Sequence, residues 1–396
     1  MDICIVTHKL LKGDGQARVN YEIVNEVLKR DHNVAVLASY VAPDLLLMPN
    51  IKWIKVSVKG WPTQLLKNQI FAIISTILLL FVKKKYDLIM VNGFITWVKS
   101  DINAVHFVHS SWLKSSAHPF RLRKNIFGVY QLLFTYINSI FEKISFSRSK
   151  HLVPVSEKVK DEILEFTNHT NLHVIMNGVN TREFYPDKSM SRQKWSLPEN
   201  VPLALFAGDI KSSRKNLDSI LKAMVDVEGL HLVVAGSTKG SPYLKMAEQL
   251  ELQNRVQFLG FRNDIPNLMK CADFFVFPSR YEACTLVVLE ALASGLPVIT
   301  TYESGVSELV GSKAGFIISH PEDLVGLGRA MKLLSTDDNQ RKWLSINARE
   351  IAEEQSWESV AAKYIKLFEE VSSEKELMVD VNKRKPKNFG VRNSGK

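Results

Sequence analysis

The chain has few cysteines and lacks the signals of several protein classes. Of its 396 residues only Cys4, Cys271 and Cys284 are cysteines, and no two of them form a Cys-x-x-Cys pair. We therefore expect neither a disulfide framework nor a zinc site, and a reducing compartment fits this composition. Met1 leads directly into an apolar strand pattern without a basic n-region or a cleavage site, so a secretory signal is not expected.

Long apolar runs are also missing. Ile70–Val82 holds 13 uncharged residues, which is short of the roughly 20 that a membrane-spanning helix needs. No segment is therefore predicted to cross a membrane. This run and the apolar run Ile126–Ile137 each adjoin basic residues, namely Lys83, Lys84 and Lys85 in one case and Arg121 to Lys124 in the other. Two interpretations stay open: ordinary helices packed on a sheet, or helices lying in a membrane interface.

The positive charge is concentrated in the first half of the chain. The net charge is +10, and residues 1–190 carry 24 Lys/Arg against 15 Asp/Glu, a net +9. Residues 191–373 carry 20 against 23. A basic first half favours an anionic partner such as a membrane surface, a phosphate-bearing acceptor or nucleic acid. Nucleic acid is not expected, because the interleaved aromatic and basic residues of an exposed binding sheet are absent from the pattern.

The order of apolar runs predicts an α/β protein with two domains. Short strand-like runs alternate with amphipathic helical runs of 10–20 residues in both halves of the chain. Such alternation is typical of parallel, doubly wound sheets, and the length suits two cores. The polar, proline-bounded segment 186–202 predicts the boundary. We expect domains at 1–190 and 191–354, further helix around Trp357, and a basic, disordered tail at 374–396.

The most informative segment runs from Pro278 to Ile299. Glu282 lies in a turn after an apolar run, and Glu290 lies in an expected helix that ends at Gly295 before the next strand. In such a βαβ unit the loop after the first strand faces the ligand crevice. A carboxylate in the helix could accept two hydrogen bonds from a ribose diol, while the N–H groups that begin the helix can bind a phosphate. We assign those N–H groups to Ala283, Cys284, Thr285 and Leu286.

The loop after the first strand carries Gly13 and Gly15 and is followed by a helix. Glycines let a ligand approach the backbone closely, and the helix directs its N-terminus to the same place. Arg18 occupies the third glycine position of a dinucleotide fingerprint, so that fingerprint is not matched. A tight strand-to-helix turn is the alternative interpretation.

The segment with Glu282 and Glu290 closely resembles the E-x7-E signature of the glycosyltransferase group 1 family of retaining, nucleotide-sugar-dependent enzymes. The resemblance extends to Val155-Ser156 and to Asn177-Gly-Val-Asn180, and it covers residues 1 to about 365. It implies the GT-B fold, in which two Rossmann-like domains face each other across a cleft. It also implies that the first domain binds the acceptor, the second binds the nucleotide-sugar, and the helix at 355–373 packs back on the first.

The resemblance implies roles for individual residues. Glu282 is expected near the sugar hydroxyls and Glu290 at the ribose. A strand is expected at Asn103–His109, and His109 at its end looks like the histidine that the family has at this strand end beside the transferred sugar, with His106 as the runner-up. Further donor contacts are expected at Gly15, Gly208, Gly236, Phe261 and Arg262, and acceptor or other cleft contacts at Gly13, Arg18 and His106.

The cations for the donor diphosphate are expected in the loop Asp209–Asn216. Lys215 before Asn216 matches the family lysine, but Asp209 stands where the family usually has arginine. Lys211 or Arg214 could supply the missing charge. The departure leaves a degenerate, inactive transferase as one alternative, and an epimerase, a phosphorylase or a non-enzymatic anion-binding protein as others.

The sequence therefore predicts a retaining hexosyltransferase of the cytoplasm, acting on a UDP-sugar and a glycan or lipid-linked acceptor. No metal or other cofactor is expected, because the chain has no Asp-x-Asp triplet to hold a metal on the diphosphate. The basic first half adds an anionic membrane surface at the inner face of the membrane as an expected partner.

Overall fold

The protein consists of two α/β domains, each built on a six-stranded parallel sheet. The structure is a computed structural model that describes residues 1–13, 15–122, 124–187 and 189–384. The strands are β1 (Asp2–Val6), β2 (Lys9–Leu10), β3 (Asn33–Ala38), β4 (Tyr40–Val41), β5 (Ile51–Lys55), β6 (Leu88–Asn92), β7 (Ser100–Val105), β8 (Ser149–Pro154), β9 (Leu203–Ala207), β10 (His231–Ala235), β11 (Val256–Gly260), β12 (Phe274–Phe277), β13 (Val298–Thr301) and β14 (Gly315–Ile318).

Helices join the strands and cover both faces of each sheet. They are α1 (Gly15–Lys29), α2 (Pro43–Leu46), α3 (Gln64–Val82), α4 (His109–Lys114), α5 (Pro119–Leu122), α6 (Ile126–Ser147), α7 (Glu157–Leu164), α8 (Leu217–Met224), α9 (Tyr243–Gln249), α10 (Ile265–Cys271), α11 (Leu286–Ala293), α12 (Ser307–Val310), α13 (Leu324–Thr336), α14 (Asp338–Glu354) and α15 (Trp357–Arg384). Short 3-10 helices lie at Lys83–Lys85, Arg192–Trp195 and Ser213–Lys215.

The strand orders are those of doubly wound sheets. The first sheet has the order β5-β3-β1-β6-β7-β8 and the second β11-β10-β9-β12-β13-β14, while β2 and β4 form a small separate pair. Central strands are apolar on both faces, as the fully buried Phe274–Phe277 shows, because helices cover both sides of a parallel sheet. The expected pair of Rossmann-like domains is therefore present, and the carboxyl ends of each sheet's strands lie at one edge.

The last helix returns to the first domain. Trp357, Val360, Tyr364, Phe368 and Val371 recur at helical spacing and are buried in the core formed by β1, β3, β6 and α1. The helix also continues further than the sequence indicated. Residues 374–384 were assigned to a disordered tail but form the end of α15, where Glu374 pairs with Lys150 and Lys375 with Asp101, each at 2.8 Å. The rest of the predicted tail, 385–396, lies outside the described residues.

The segment around His109 is helical, which corrects the predicted strand. β7 ends at Val105, and α4 begins at His109. The reason is a tertiary contact: the buried Glu142 carboxylate on α6 accepts the N–H groups of His109 and Ser110 at 2.7 and 2.6 Å. A carboxylate bound to these first N–H groups stabilises the start of a helix, and nothing in the local sequence announces it.

The apolar helix α3 is longer than the run that suggested it. Together with the following 3-10 turn it spans Gln64–Lys85, 22 residues, and by length and composition alone it could cross a membrane. The expectation that no segment has this property was therefore wrong. One stripe of the helix, Phe71, Ala72, Ser75 and Leu79, is nevertheless fully buried against the first domain. The outward residues include Ile77 at 51% and Phe81 at 80% exposure.

The crossover between the domains depends on a glycine. Gly178 lies against Trp357, the first residue of α15, and an added Cβ would stand 2.5 Å from Cε3 and 2.8 Å from Cδ2 of the indole. We expect Gly178→Ala to lower the free energy of unfolding by about 1–3 kcal/mol through overpacking. Urea denaturation followed by tryptophan fluorescence measures this change.

Gly328→Ala in α13 is the matched control. The nearest atom to its added Cβ is Ala223 O at 3.8 Å. Alanine is also the better helix former by roughly 1 kcal/mol. The control is therefore expected to be neutral or stabilising. Equal effects of the two substitutions would contradict tight packing at the crossover.

Candidate active site

The loop between β12 and α11 is held from the first domain. Ser156 Oγ donates to Ala283 O at 2.8 Å, and Asn177 Nδ2 donates to Cys284 O at 2.9 Å. Ser156 is fully buried and Asn177 is 5% exposed. The resemblance had singled out both segments, and the structure gives them the same task of fixing this loop at the crevice.

The N–H groups of the same loop have no protein acceptor. Within the described part of the chain, the amides of Ala283, Cys284 and Thr285 make no hydrogen bond, although Ala283 and Cys284 are only 8% and 9% exposed. Buried amides in proteins are nearly always paired. Three successive free donors at the start of α11 therefore make a candidate anion site of the kind that binds phosphate.

Lys215 is placed beside this loop by its neighbour Asn216. Asn216 is fully buried and has a left-handed backbone with φ of 62°. Its amide donates to Pro278 O at 2.8 Å and to Pro321 O at 2.7 Å. These bonds tie the loop after β9 to the end of β12, so the predicted cation and the predicted carboxylate Glu282 meet.

The charges around Glu282 form a compact cluster. The Lys215 ammonium forms an ion pair with the Glu282 carboxylate, and Arg214 Nη1 lies 3.3 Å from the same oxygen. The side chains of Lys215 and Glu282 are 13% and 10% exposed. Burial lowers the pKa of Lys215, an effect that the Glu282 carboxylate opposes. Two cations against one anion leave a net positive charge around the carboxylate of Glu282, the residue that precedes the free N–H groups.

The remaining residues of the cation loop lie outside this cluster. Asp209 is exposed, and its carboxylate accepts the backbone N–H of Lys211 at 3.0 Å. Lys211 itself is exposed. Of the two cations considered as substitutes for the family arginine, the structure brings Arg214 and not Lys211 to Glu282.

Glu290 faces the other domain. It lies on α11, and its carboxylate oxygen is 3.6 Å from Arg18 Nη1 of α1. Burial raises the pKa of Glu290 to about 7, while Arg18 lowers it. The structure therefore places Arg18, which was grouped with acceptor or other contacts, beside the residue predicted to bind the donor ribose.

The glycines at the strand ends differ in what surrounds them. An added Cβ on Gly236 would collide with the backbone oxygen of Gly208 and lie 3.1 Å from Ile210 Cγ2, so this position has no room for a side chain. An added Cβ on Gly208 would be 3.4 Å from Phe277 and 3.9 Å from Lys215 Cγ. At Gly13 the nearest atom is 3.6 Å away, and at Gly15 none lies within 4 Å. The first loop thus borders open space, which leaves its role as a donor contact a prediction.

Phe261 and Arg262 follow β11. Phe261 is 75% exposed, as expected for a ring available to a ligand. Arg262 instead forms a two-pronged pair with Asp264, at 2.7 and 2.6 Å, and lowers the pKa of that carboxyl to about 2. Asp264 also accepts Trp195 Nε1 at 3.0 Å. Arg262 therefore has a structural partner, and its predicted donor contact stays a prediction.

The two histidines occupy different places. His106 follows β7 directly, and its Nε2 lies 3.2 Å from Asn92 Oδ1 at the end of β6, among the strand ends that face the crevice. His109 lies on α4 with its ring between Phe107 and Phe134. Burial lowers the pKa of both histidines to about 4, so both are neutral at neutral pH. The strand-end position expected for His109 belongs to His106.

Tyr281 was not identified from the sequence. Its hydroxyl donates to Glu162 Oε2 at 2.9 Å, and its ring packs against Phe107 and Trp112 with centroid distances of 5.4 and 5.0 Å. These contacts hold Tyr281, and with it the adjacent Glu282, against the first domain. In the sequence, only its position next to Glu282 in the motif could have pointed to this role, because its partners lie far away in the chain.

Comparisons with known proteins agree with this geometry. A family model described as glycosyl transferases group 1 matches residues 187–351, and a model described as glycosyltransferase family 4 matches residues 13–183. The two matches cover most of both domains.

Curated relatives share about a quarter to a third of the aligned residues. An uncharacterized glycosyltransferase of Methanocaldococcus jannaschii is 28% identical over 57% of this chain and 62% of its own length. The lipopolysaccharide glucosyltransferase WaaG of Escherichia coli is 28% identical over 59% and 67%. The lipopolysaccharide core biosynthesis mannosyltransferase LpsB of Rhizobium meliloti is 30% identical over 49% and 61%. The chain thus spans about three-fifths to two-thirds of these relatives.

Solved structures match over nearly the whole chain. Sucrose-phosphate synthase of Thermosynechococcus elongatus superposes with a TM-score of 0.77 at 17% identity, covering 94% of this chain and 99% of the other. WaaG gives 0.74 at 22% identity, covering 92% and 99%. HepE of Anabaena in complex with UDP-glucose gives 0.67 at 19% identity, covering 93% and 100%. These identities show the fold alone, and the predicted GT-B architecture is confirmed.

The Glu282 cluster gives a stability prediction. Glu282→Ala leaves the Lys215 ammonium without its carboxylate, whereas Lys215→Ala leaves Glu282 with Arg214. Removing one partner of a buried pair costs about 3 kcal/mol or more. We therefore expect Glu282→Ala to destabilise the fold by about 3 kcal/mol and Lys215→Ala by clearly less. Chemical denaturation of both variants measures the difference.

Glu303→Ala is the control, since Glu303 is 46% exposed and lies 3.8 Å from Lys158. It should change the free energy of unfolding by no more than about 0.5 kcal/mol. A larger loss for Lys215→Ala than for Glu282→Ala would show that Lys215 has another acceptor.

Proposed function

Since the chain belongs to the group 1 glycosyltransferase family, we propose that it moves a hexose from a UDP-sugar to a glycan or lipid-linked acceptor. The product would be part of a cell-surface polysaccharide or glycolipid. The observation that carries the proposal is the row of free N–H groups at Ala283, Cys284 and Thr285 next to Lys215. This arrangement supplies what a departing nucleoside diphosphate needs.

The diphosphate gains charge as the sugar leaves. Lys215 and Arg214 carry fixed positive charge beside the anion site, and the N–H groups add donors that need no reorganisation. Preorganised donors and cations of this kind stabilise a transition state more than a ground state. Glu282 lies between these cations and is proposed to meet the sugar hydroxyls, with the strand-end histidine His106 on the opposite side of the crevice.

The rest of the donor is proposed to extend along α11. Glu290 accepts the two ribose hydroxyls, and Phe261 offers a ring to the base. UDP is favoured as the nucleotide because the HepE structure that shares this fold holds UDP-glucose. Acceptors of the glycolipid class are favoured because WaaG and LpsB are lipopolysaccharide transferases.

We propose that the anomeric configuration is retained through departure and attack on the same face. A covalent route requires a free carboxylate at the sugar. Glu282 is paired with Lys215 and Arg214 instead. The acceptor hydroxyl is then the attacking group, and the proton it loses passes to the departing diphosphate oxygens.

A screen of nucleotide-sugars tests the proposal. The purified protein is incubated with UDP-, GDP- and ADP-hexoses, and the released sugar is identified by NMR with its anomer. Hydrolysis of a UDP-hexose to the α-sugar from an α-donor is the expected result. Lys215→Ala should lower turnover by about 100-fold or more, as loss of a transition-state donor does. Lys211→Ala is the matched control with little effect, and a C2-epimerised or phosphorolysed product would overturn transfer.

Activity should persist in excess chelator. Among the described residues no group of three or more His, Cys, Asp or Glu side chains is placed to hold a metal ion. Lys215, Arg214 and the N–H groups of the α11 loop are proposed to take the place of a metal at the diphosphate. Turnover measured with and without EDTA should agree within error. Loss of turnover that manganese restores would contradict this prediction.

We propose that the enzyme is cytoplasmic and attaches to the inner face of the membrane through α3 and α6. The first turns of these helices meet, since Tyr130 Oη accepts the N–H of Leu65 at 3.3 Å. Their outward side chains are apolar and exposed, including Phe81 at 80% and Ile126 at 90%. The adjoining lysines Lys83, Lys84 and Lys85 are exposed as well. An apolar face bordered by cations suits an anionic lipid surface.

Sedimentation with anionic vesicles tests this attachment. Each basic residue near such a surface contributes about 1 kcal/mol, a term that salt screens. We expect binding to weaken in high salt, on Lys83/Lys84/Lys85→Ala and on Phe81→Ser. Lys239/Lys245/Lys313→Ala in the second domain removes the same charge from exposed positions and should leave binding unchanged. Binding that is lost only on deletion of 385–396 would contradict the proposed face.

A further inference from the structure

Arg18 reaches from the first domain to three carboxylates. Its side chain is 15% exposed, and its nitrogens lie 3.7 Å from Glu22 on the same helix, 3.3 Å from Glu183 and 3.6 Å from Glu290. Glu183 belongs to the segment that connects the domains, and Glu290 belongs to α11 of the second domain. One guanidinium thus joins both sides of the crevice at the residue proposed to bind ribose.

The Glu290 carboxylate is otherwise unsatisfied. Within the described residues no donor makes a hydrogen bond to it. The Arg18 contact at 3.6 Å is an ion pair and is too long for a hydrogen bond. The Glu290 side chain is 16% exposed, and both of its oxygens can accept. The oxygens are therefore available to a ligand diol, while Arg18 compensates the charge.

Few charged groups surround Glu290. Arg18 of α1 and Glu183 of the connecting segment face it. On α14, which packs against α11, Arg349 binds the main chain at the far end of the helix, donating to Ala293 O at 2.8 Å. Burial raises the pKa of Glu290 to about 7, Arg18 lowers it and Glu183 raises it. Arg18 is thus the cation that favours the charged form of Glu290.

We propose that Arg18 is a positioning residue for the donor, which holds the Glu290 carboxylate charged and oriented for the ribose from across the domain interface. This inference rests on the ribose role of Glu290 under the proposed function. Glu22 and Glu183 in turn hold the guanidinium, so that it is fixed before the donor arrives. Donor binding by the second domain thereby depends on the first domain.

The dependence on pH follows from the sign of these effects. The ribose hydroxyls need the charged carboxylate, so nucleotide affinity falls as the pH drops through the Glu290 pKa of about 7. Removing Arg18 raises that pKa further, and an opposite charge is worth at least about one unit. Only about a tenth of Glu290 would then be ionised at pH 7 rather than half, which weakens binding about fivefold.

The experiment is a calorimetric titration with UDP between pH 6 and pH 9, with GDP and ADP in parallel. The full-length wild type is compared with Arg18→Gln, Arg18→Lys, Glu183→Gln, Glu290→Gln and Arg18→Gln/Glu290→Gln. Differences between variants at each pH cancel the titration of the phosphate itself.

We expect Arg18→Gln to bind about fivefold more weakly at pH 7 and close to wild type at pH 9. Arg18→Lys should keep the wild-type midpoint, and Glu183→Gln should shift it to lower pH.

The double variant separates the inference from the proposed function. If Arg18 acts through Glu290, Arg18→Gln should have no further effect once Glu290 is glutamine.

Wild-type affinity in Glu290→Gln would overturn the ribose role itself. A weakened Glu290→Gln together with a pH profile of Arg18→Gln like that of the wild type would overturn only the inference. A loss in Arg18→Gln that is equal at every pH and persists in the double variant would assign Arg18 to the nucleotide directly and overturn it too. Should Arg18→Gln fail to fold, Arg18→Met, which keeps the apolar stem without the charge, tests the same midpoint shift.

Discussion

The orientation of the peptide planes between β12 and α11 controls the rest of the site. In a trans peptide the C=O of one residue and the N–H of the next point in opposite directions. Ser156 and Asn177 bind the carbonyls of Ala283 and Cys284 from the first domain. The N–H groups of Cys284 and Thr285 must then point away from that domain contact. Two side-chain hydrogen bonds thereby keep donors free that a relaxed loop would satisfy by itself, and the helix α11 continues their direction.

The charges of the crevice are compensated in pairs that a donor can exchange. Lys215 and Arg214 share Glu282, and Arg18 faces Glu290. Burying Lys215 or Arg18 without a partner would cost several kcal/mol, so the carboxylates stabilise these cations. Under the proposed function, a diphosphate would bring its own negative charge to Lys215 and Arg214, and a ribose diol would bring hydrogen bonds to Glu290. The same residues would then serve stability without the ligand and recognition with it.

Local patterns in the sequence predicted much of this, and long-range contacts account for what they missed. The strand, turn, helix and glycine stop around Glu282 and Glu290 are encoded within 22 residues, and Asn216 follows Lys215 because asparagine tolerates the left-handed turn. His109 was misplaced because Glu142, 33 residues away, begins a helix there. Arg18 was grouped with acceptor or other contacts, and its position beside Glu290 was missed, because its partners Glu183 and Glu290 belong to other parts of the chain. The helical end of α15 depends on Lys150 and Asp101, which no local pattern reveals.

Asp209 is the departure from the family pattern that bears most on catalysis, and its surroundings limit its effect. Its carboxylate is exposed and closes a turn by accepting the Lys211 N–H. An exposed charge acts on the crevice only weakly, because water and salt screen it. The loop then brings Arg214 to within 3.3 Å of Glu282, beside Lys215. Two cations therefore reach the anion site although the usual arginine is absent, and an aspartate at position 209 is compatible with an active diphosphate site.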